Sequence, residues 1–348
     1  MSKTSSKRDI LNVGIDLGTS RSAVSTSDGK RHVIESYVGW PGDMVARKVL
    51  KKDILIGSEA VENRTMLDLH RPLERGLIKE GSEKDLQAVK ELLKHLLRIA
   101  GVEESDAEDK PLVRAVVGVP AEAMRVNKQQ LRNALAGTVD ALMIVSEPFA
   151  VAYGLDALLH SLIIDIGAGT SDFCVMRGRF PTEDDQRTLP QAGDSIDEQL
   201  LTLIQEKHPN AQVSIYMVRE WKEAHGFVGE PQAPVKVTAP VQGRPTELDI
   251  TSAMRAACES LVEPAVEALL DLLPRVEPEF QAKVRNNVIL SGGSSQIAGL
   301  RIALQDGLEP LGGGKVQNVK DPVFAGAQGC LAIALDAPDD DWDLLSAT

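Results

Sequence analysis

The stretch Gly14-Ile15-Asp16-Leu17-Gly18-Thr19-Ser20 has a near-copy further along the chain, Ile164-Asp165-Ile166-Gly167-Ala168-Gly169-Thr170-Ser171-Asp172. In each copy, an apolar and β-branched run leads to an aspartate and then to a turn that contains glycine. Glycine lacks the side chain that would keep backbone N–H groups away from an anion. The two copies therefore predict two strand–turn–strand hairpins that act as the halves of one phosphate clamp.

The aspartates of the two hairpins add a requirement for a cation. Carboxylates that face phosphate groups repel them unless a divalent ion lies in between. Asp16 and Asp165 therefore predict a magnesium ion that bridges acid and nucleotide. The alternative is that both aspartates only cap turns, where Asp is common. Two copies of the same acid–glycine–threonine pattern favour the phosphate hypothesis.

Composition indicates a globular protein of two domains. The chain has 348 residues, of which 43% are hydrophobic and 26% charged, and no apolar run is as long as a membrane span. Met1 to Asn12 is polar and has no secretory core, so we expect a cytoplasmic protein without direct membrane insertion. The net charge of −13 argues against a nucleic-acid partner.

The three cysteines indicate neither a disulfide framework nor a zinc site. Cys174, Cys258 and Cys330 are odd in number, widely spaced and outside any C-x-x-C pattern. We expect them to be small core residues.

Strand-like and helix-like patterns alternate along the chain, which predicts an α/β fold. After the first hairpin, further strands of an antiparallel meander are expected. The remaining predicted elements are a helix over 82–100 capped by Ser82, an acidic surface loop over 102–111, a buried strand over 113–120, a helix over 127–136, a strand over 141–145, a helix over 195–207, a loop-rich segment over 226–245, a long helix over 250–273 kinked at Pro264, and a strand over 287–291 that stops at a double glycine.

Four motifs in one order resemble those of a known superfamily. Asp16 to Thr19, Glu147-Pro148, Asp165 to Thr170 and Ser291 to Ser294 resemble the phosphate 1, connecting, phosphate 2 and adenosine motifs of the actin, Hsp70 and sugar-kinase superfamily. Within it, the segment 67–76 resembles the stretch by which actins return from the small outer subdomain to the first large one. The segment 193–198 resembles the corresponding helix entry in bacterial actins. Over its whole length, the chain is most similar to the magnetosome-associated bacterial actins.

The resemblance implies an actin-like α/β fold. In that fold two large, ribonuclease H-like α/β domains surround a nucleotide cleft, and each carries a small subdomain. The implied boundaries are 1–32 and 73–149 for subdomain IA, 33–72 for IB, 150–192 and 251–348 for IIA, and 193–250 for IIB.

The resemblance also implies roles for individual residues. Asp16 and Asp165 would hold magnesium, and Glu147 with Asp165 would orient the water that attacks the γ-phosphate. Lys222 and Glu223 match a pair that bacterial actins have near the ribose. The implied nucleotide-binding residues are Gly18, Thr19, Ser20, Gly167, Ala168, Gly169, Thr170, Lys222, Glu223, Gly292, Gly293 and Ser294.

Several of these residues have simpler interpretations. Glu147 alone is typical of a solvated acid at a helix start. Lys222 and Glu223 are also consistent with an ordinary exposed ion pair, and Gly292-Gly293 with a tight turn that binds no ligand. The acidic tail over 336–343 is most simply solvated, with modulation of filament contacts as the alternative.

The implied function is a magnesium-dependent ATPase that binds ATP and ADP and polymerises into cytoskeletal filaments. Its partners would be further copies of itself and magnetosome-associated proteins, and the filaments would organise magnetosomes. Alternatives are a monomeric ATPase of the sugar-kinase or Hsp70 type, a cell-shape filament of the MreB type, and a scaffold that does not hydrolyse nucleotide. The presence of Asp16, Glu147 and Asp165 argues against the scaffold.

Overall fold

The computed structural model describes residues 9–74, 77–78, 83–102, 111–121 and 128–346. The chain forms two compact units, one made of Met1–Ala157 with Val323–Thr348 and the other of Leu158–Pro322. Each unit contains a five-stranded mixed sheet. This confirms the predicted α/β class. Within the described ranges, no helix is both long and apolar enough to span a bilayer.

The strands alternate with helices along most of the chain. In chain order they are β1 (Ile10–Leu17), β2 (Arg21–Thr26), β3 (Arg31–Glu35), β4 (Val38–Pro41), β5 (Leu55–Ile56), β6 (Leu67–His70), β7 (Leu73–Glu74), β8 (Leu77–Ile78), β9 (Leu112–Val119), β10 (Ala141–Ser146), β11 (Leu159–Ile166), β12 (Ser171–Arg177), β13 (Gln186–Leu189), β14 (Lys236–Val241), β15 (Arg244–Asp249), β16 (Val288–Ser291) and β17 (Val316–Asn318).

The α-helices of the described residues are α1 (Met44–Leu50), α2 (Ser58–Glu62), α3 (Glu83–Ile99), α4 (Lys128–Leu135), α5 (Glu147–Gly154), α6 (Gly193–Lys207), α7 (Ile215–His225), α8 (Thr251–Glu259), α9 (Val262–Leu272), α10 (Pro278–Arg285), α11 (Leu300–Asp306), α12 (Ala325–Asp336) and α13 (Asp339–Ser346).

The sheet of the first unit has the strand order β10-β9-β1-β2-β3. β1 is parallel to β9, and β9 is parallel to β10, whereas β1, β2 and β3 form the predicted antiparallel meander. β9 is buried along almost its whole length, as its run of valines predicts for a central strand. The leucine face of α3 joins the same core through Leu92, Leu93, Leu96 and Leu97.

The sheet of the second unit has the order β13-β12-β11-β16-β17 and repeats this plan. β11 pairs antiparallel with β12 and parallel with β16. Asp165 near the end of β11 therefore occupies the position that Asp16 has in β1. Both predicted hairpins are confirmed.

The predicted loop-rich segment over 226–245 is wrong in part, because β14 and β15 form a regular hairpin there. Val237 and Ala239 alternate with exposed residues in β14. The connecting residues Gln242 and Gly243 both have positive φ, 50° and 77°, which is the geometry of a tight hairpin turn. The prolines and glycines of this segment therefore shape a hairpin as well as loops.

The long helix predicted over 250–273 is two helices, α8 and α9, which are separated at Ser260 and Leu261. The kink was expected at Pro264. In a continuous helix, Pro264 would have no N–H for the Ser260 carbonyl, and its ring would collide with that carbonyl. The helix therefore breaks one turn before the proline.

The carboxyl-terminal residues belong to the first unit, although the sequence assigned 323–348 to the second domain. Glycines allow α12 to pack closely against β1 and α5. A Cβ atom on Gly14 of β1 would lie 2.1 Å from the Ala327 carbonyl oxygen, and one on Gly329 would lie 1.9 Å from that of Ala150. Backbone meets backbone at these points. The finer division into subdomains stays a prediction.

The acidic tail is not simply solvated. α13 packs on β10, and its Trp342 is only 1% exposed. The Arg114 guanidinium lies 2.8 Å from the Asp339 carboxylate and 5.4 Å from the centre of the Trp342 ring. The aspartates therefore flank a buried aromatic anchor.

A few predictions lie outside the described residues. These are the Ser82 cap, the acidic loop over 103–110, the helix start at Asn127 and the last two residues of the segment 67–76.

We expect Gly329→Ala to destabilise the first unit. Alanine favours a helix over glycine by about 1 kcal/mol. Here the added Cβ would lie 1.9 Å from the Ala150 carbonyl oxygen, so α5 and α12 must separate, at a cost of about 1–3 kcal/mol or more. Thermal unfolding measures the difference. Gly42→Ala is the control, because its Cβ would meet no atom closer than 3.6 Å. An unchanged or higher melting temperature for Gly329→Ala would contradict this account of the packing.

Candidate functional site

Two acids of the first unit share one edge of its sheet. In the parallel strands β1, β9 and β10, Gly118 lies opposite both Asp16 and Val145. Glu147 follows β10 directly as the first residue of α5. A Cβ atom on Gly118 would lie 3.7 Å from Cγ of Glu147. The carboxyl ends of the strands therefore bring Asp16 and Glu147 to neighbouring positions around a glycine.

The Asp16 carboxylate lies against the first turn of α12. A Cβ atom on Gly326 would lie 2.4 Å from Oδ2 of Asp16. A helix amino terminus favours a negative charge. Burial acts in the opposite direction and raises the pKa of Asp16 to about 7, even though the residue keeps some exposure to solvent. A cation bound at this carboxylate would favour its ionised form.

The turn of the first hairpin is held through its carbonyl groups. Ser36 donates from Oγ to the Gly18 carbonyl at 2.7 Å and from its backbone N–H to the Ser20 carbonyl at 2.8 Å. Arg71 donates from Nε to the Thr19 carbonyl at 2.8 Å. In a trans peptide the N–H points opposite to the C=O. The N–H groups of these peptide units therefore point away from Ser36 and Arg71.

The turn of the second hairpin is held in the same way by different partners. The Gly167 carbonyl accepts from the Gly193 N–H and from Oγ of Ser294, both at 3.1 Å. The Ala168 carbonyl accepts from the Asp194 N–H at 2.8 Å. The turn is thereby docked on the start of α6, and the N–H groups of both peptide units face the other way.

The double glycine after β16 has two different roles. Gly292 has φ +81°, and a Cβ there would lie 2.6 Å from Oδ1 of Asp165 and 2.4 Å from the Ile166 carbonyl oxygen. Only glycine allows the backbone to come this close to Asp165 and Ile166 at a positive φ. At Gly293, no described atom lies within 4 Å of the Cβ position. Gly292 thus has a structural role, and Gly293 leaves open backbone beside it.

Lys222 lies inside the second unit and is not part of an exposed pair. Its Nζ lies 2.7 Å from the Asp197 carboxylate and donates to the Gly193 carbonyl, also at 2.7 Å. Glu223 is exposed. The interpretation as an ordinary surface pair is therefore wrong for Lys222. This lysine holds the start of α6, on which the second turn rests.

A second cation completes this buried network. Arg219 lies 3.1 Å from the Asp197 carboxylate and 3.2 Å from that of Asp194. The pKa of Asp197 is nevertheless raised, because the effect of burial exceeds that of the two cations. Removing one member would leave a buried charge without its partner, which is costly.

Sequence reasoning missed most of the residues that support the turns. Ser36, Arg71, Gly118, Asp197 and Arg219 carry no recognisable phosphate-site pattern. The signals that existed were indirect. Arg71 lies in the segment 67–76, which resembles actins, and Asp197 lies in the segment 193–198, which resembles bacterial actins. Ser36 and Arg71 bind turn carbonyls, Asp197 and Arg219 belong to the network at the start of α6, and Gly118 lies between Asp16 and Glu147. Such contacts depend on folding.

The described residues contain no group of three or more His, Cys, Asp or Glu that would enclose a metal ion. Magnesium keeps several waters and commonly takes one or two protein carboxylates together with phosphate oxygens. A single aspartate at each turn suits a hydrated ion of that kind. Cys330 lies near Gly118, and burial raises the pKa of its thiol, so it is no nucleophile.

Comparison with known proteins identifies the family of the chain. The family model MreB/Mbl protein matches residues 10–339. The actin-like protein MamK of Paramagnetospirillum magneticum is 39% identical over 332 residues, which cover 95% of this chain and 94% of that protein.

Two solved structures are also similar. A MamK double helical filament has a TM-score of 0.90 at 39% identity and covers 95% of this chain and 100% of its own. A non-polymerising MamK mutant bound to AMPPNP has a TM-score of 0.72 at 38% identity and covers 94% and 100%. The matched residues and the shared fold show that this chain belongs to the MreB/Mbl family of actin-like proteins.

Proposed function

We propose that this protein binds and hydrolyses ATP with magnesium and polymerises into a cytoskeletal filament. One observation carries the proposal. In each unit, hydrogen bonds from one side hold the carbonyl groups of a turn, and this turn lies next to an aspartate at the end of a strand. Backbone N–H groups arranged in this way bind phosphate oxygens. The similarity to a MamK filament and to a MamK mutant bound to AMPPNP supports both parts of the proposal.

The turns bind the phosphates. Thr19 and Ser20 donate backbone N–H groups from the first turn, next to Gly18. Ala168, Gly169 and Thr170 donate from the second turn, where the Gly167 N–H already bonds to the Thr170 carbonyl at 2.9 Å. Asp16 and Asp165 would hold magnesium, which would neutralise charge on the phosphates. The raised pKa of Asp16 means that the carboxyl group releases its proton when the cation binds.

Glu147 and Asp165 act on the attacking water. Hydrolysis of this kind depends on positioning and on charge stabilisation more than on a strong nucleophile. Glu147 begins α5 beside Gly118 and is largely buried, so its carboxylate is held in a fixed direction. It accepts a hydrogen bond from the water and orients it toward the γ-phosphate.

The adenosine lies along Gly292, Gly293 and Ser294. Open backbone at Gly293 admits a flat ring or a ribose. Glu223, exposed at the end of α7, contacts the ribose hydroxyl groups. Lys222 contributes through the start of α6, which it holds by its bond to the Gly193 carbonyl.

Filament formation gives the ATPase its cellular role. ATP favours the subunit conformation that assembles, and hydrolysis later weakens the contacts. We propose further copies of this chain and magnetosome-associated proteins as partners, and filaments that organise magnetosomes, as the resemblance to magnetosome-associated bacterial actins implies.

We expect Asp16→Ala to weaken the binding of magnesium and ATP, because it removes the carboxylate that orders the water shell of the ion. Titration calorimetry with Mg-AMPPNP measures the loss. Asp53→Ala, at an exposed acid of the same unit, is the control. Equal affinities of Asp16→Ala and wild type would show that the first hairpin does not bind the metal–nucleotide complex.

The same site predicts a dependence on pH. The pKa of Asp16 in the folded protein is about 7, against an ordinary value of 3.8. Between these two pH values, the folded chain holds a proton that the unfolded chain has already lost. Without ligand, stability is therefore lost as pH rises toward and through about 7. Affinity for Mg-AMPPNP should rise over the same range, and Asp16→Asn should remove that rise. A pH-independent wild type would contradict the assignment.

Hydrolysis and assembly should separate in Glu147→Gln. Because Glu147 acts on water, turnover should fall by about 10²-fold or more while nucleotide affinity stays close to wild type. Filaments should form with ATP and disassemble more slowly than those of wild type. Phosphate release and light scattering after ATP depletion measure the two effects. Unchanged turnover would contradict the catalytic role, and equal filament lifetimes would contradict the coupling.

A further inference from the structure

The helix α1 of the first unit presents apolar side chains to solvent. Met44, Val45 and Val49 are 83%, 63% and 60% exposed, whereas Ala46 is buried. Exposed apolar residues that stand alone are common, but three on one short helix form a patch. A patch of this kind is typical of an interaction surface.

The same helix and its end are basic. Arg47, Lys48, Lys51 and Lys52 fall within six positions of a chain whose net charge is −13. Lys52 bonds to Glu59 at 2.6 Å, which leaves three cations on this helix end. Two acids are close in sequence. Asp43 accepts from the Val45 and Ala46 N–H groups at 2.8 Å as the helix cap, and Asp53 is exposed.

A groove of opposite charge lies in the second unit, along α9 and α11. It has a volume of about 500 Å³. Its wall contains small and apolar residues together with three glutamates, and none of its lining residues is basic. The lining residues are Val228, Glu259, Val262, Glu263, Val266, Glu267, Ala303 and Gly307.

The glutamates of α9 lack a partner of opposite charge in the described part of the chain. Glu263 and Glu267 are exposed, one turn apart, and neither forms an ion pair there. Like charges at this spacing destabilise a helix by a few tenths of a kcal/mol. The basic residue on the preceding helix, Arg255, is bonded to Glu230 instead. Glu259 accepts from the Gly229 N–H at 3.2 Å.

We propose that α1 of one subunit docks in this acidic groove of a second copy of the chain. Val45 and Val49 would cover the apolar wall, and Lys48 would meet Glu263 and Glu267. The inference rests on the proposed filament, and it names one of its contacts.

Three arguments favour a second copy as the occupant. The chain itself supplies a helix that is both apolar and basic, which is what an apolar groove with a glutamate rim recognises. The two surfaces differ, so the contact is heterologous, and its repetition builds an open polymer. Local attraction of this kind also opposes the repulsion between subunits that each carry −13. A helix of seven residues is about 10 Å long, so the contact is one part of a larger interface.

Charge reversal on each surface, alone and together, tests the inference. We expect Glu263→Lys with Glu267→Lys to raise the critical concentration for pelleting with Mg-ATP by about 10-fold or more, and Arg47→Glu with Lys48→Glu to do the same. The four substitutions combined should return it to within about 3-fold of wild type, because the pairs form again with exchanged signs. Glu206→Lys, at an exposed acid of α6, is the matched control.

The outcomes separate this contact from the filament itself. Wild type that stays in the supernatant overturns the filament proposal and this inference with it. If wild type pellets and either charge-reversed variant pellets equally well, the contact is overturned. The contact is also overturned if the combined variant shows no recovery. In both cases the filament proposal stands. If Glu263→Lys with Glu267→Lys lowers the melting temperature, Glu263→Gln with Glu267→Gln removes the charge with less change in shape, and the same direction of change in critical concentration is expected.

Discussion

The candidate site depends on hydrogen bonds that hold the carbonyl groups of two turns from one side. In the first unit the donors are Ser36 and Arg71, and in the second they are the Gly193 and Asp194 N–H groups together with Ser294. Since each peptide unit is planar, fixing its carbonyl also fixes its N–H. The direction in which the turns present donors is therefore set before any anion binds. Electrostatic sites of this preorganised kind need little rearrangement when they act.

Close backbone contacts put the acids beside these turns. Gly326 lets α12 approach the Asp16 carboxylate, and Gly292 lets the end of β16 approach that of Asp165. The cost is a buried acid whose pKa rises to about 7 at Asp16. A cation at the Asp16 carboxylate would offset this cost, because it would favour the ionised form. Because these distances are so short, any side chain at Gly326 or Gly292 would collide with the neighbouring atoms.

Local patterns in the sequence predicted the hairpins, the α/β class and the acids at the strand ends, because strand alternation and turn glycines act over a few residues. Such local patterns do not predict contacts between residues that are far apart in the sequence. The packing of α12 in the first unit depends on Gly14 and Gly329 meeting other backbone, and Lys222 finds Asp197 only after α6 and α7 have folded together. The acidic tail was misjudged because charge dominates its composition, whereas Trp342 decides its position.

Amide hydrogen exchange at the two turns tests the central claim most directly, because it reports on the N–H groups themselves. Exchange should be compared between the free protein and the protein saturated with Mg-AMPPNP. We expect slower exchange at residues 19–21 and also at residues 168–170, with the exposed hairpin turn at 242–243 unchanged. Protection at only one of the two turns, or at neither, would contradict the account in which both turns bind the phosphates.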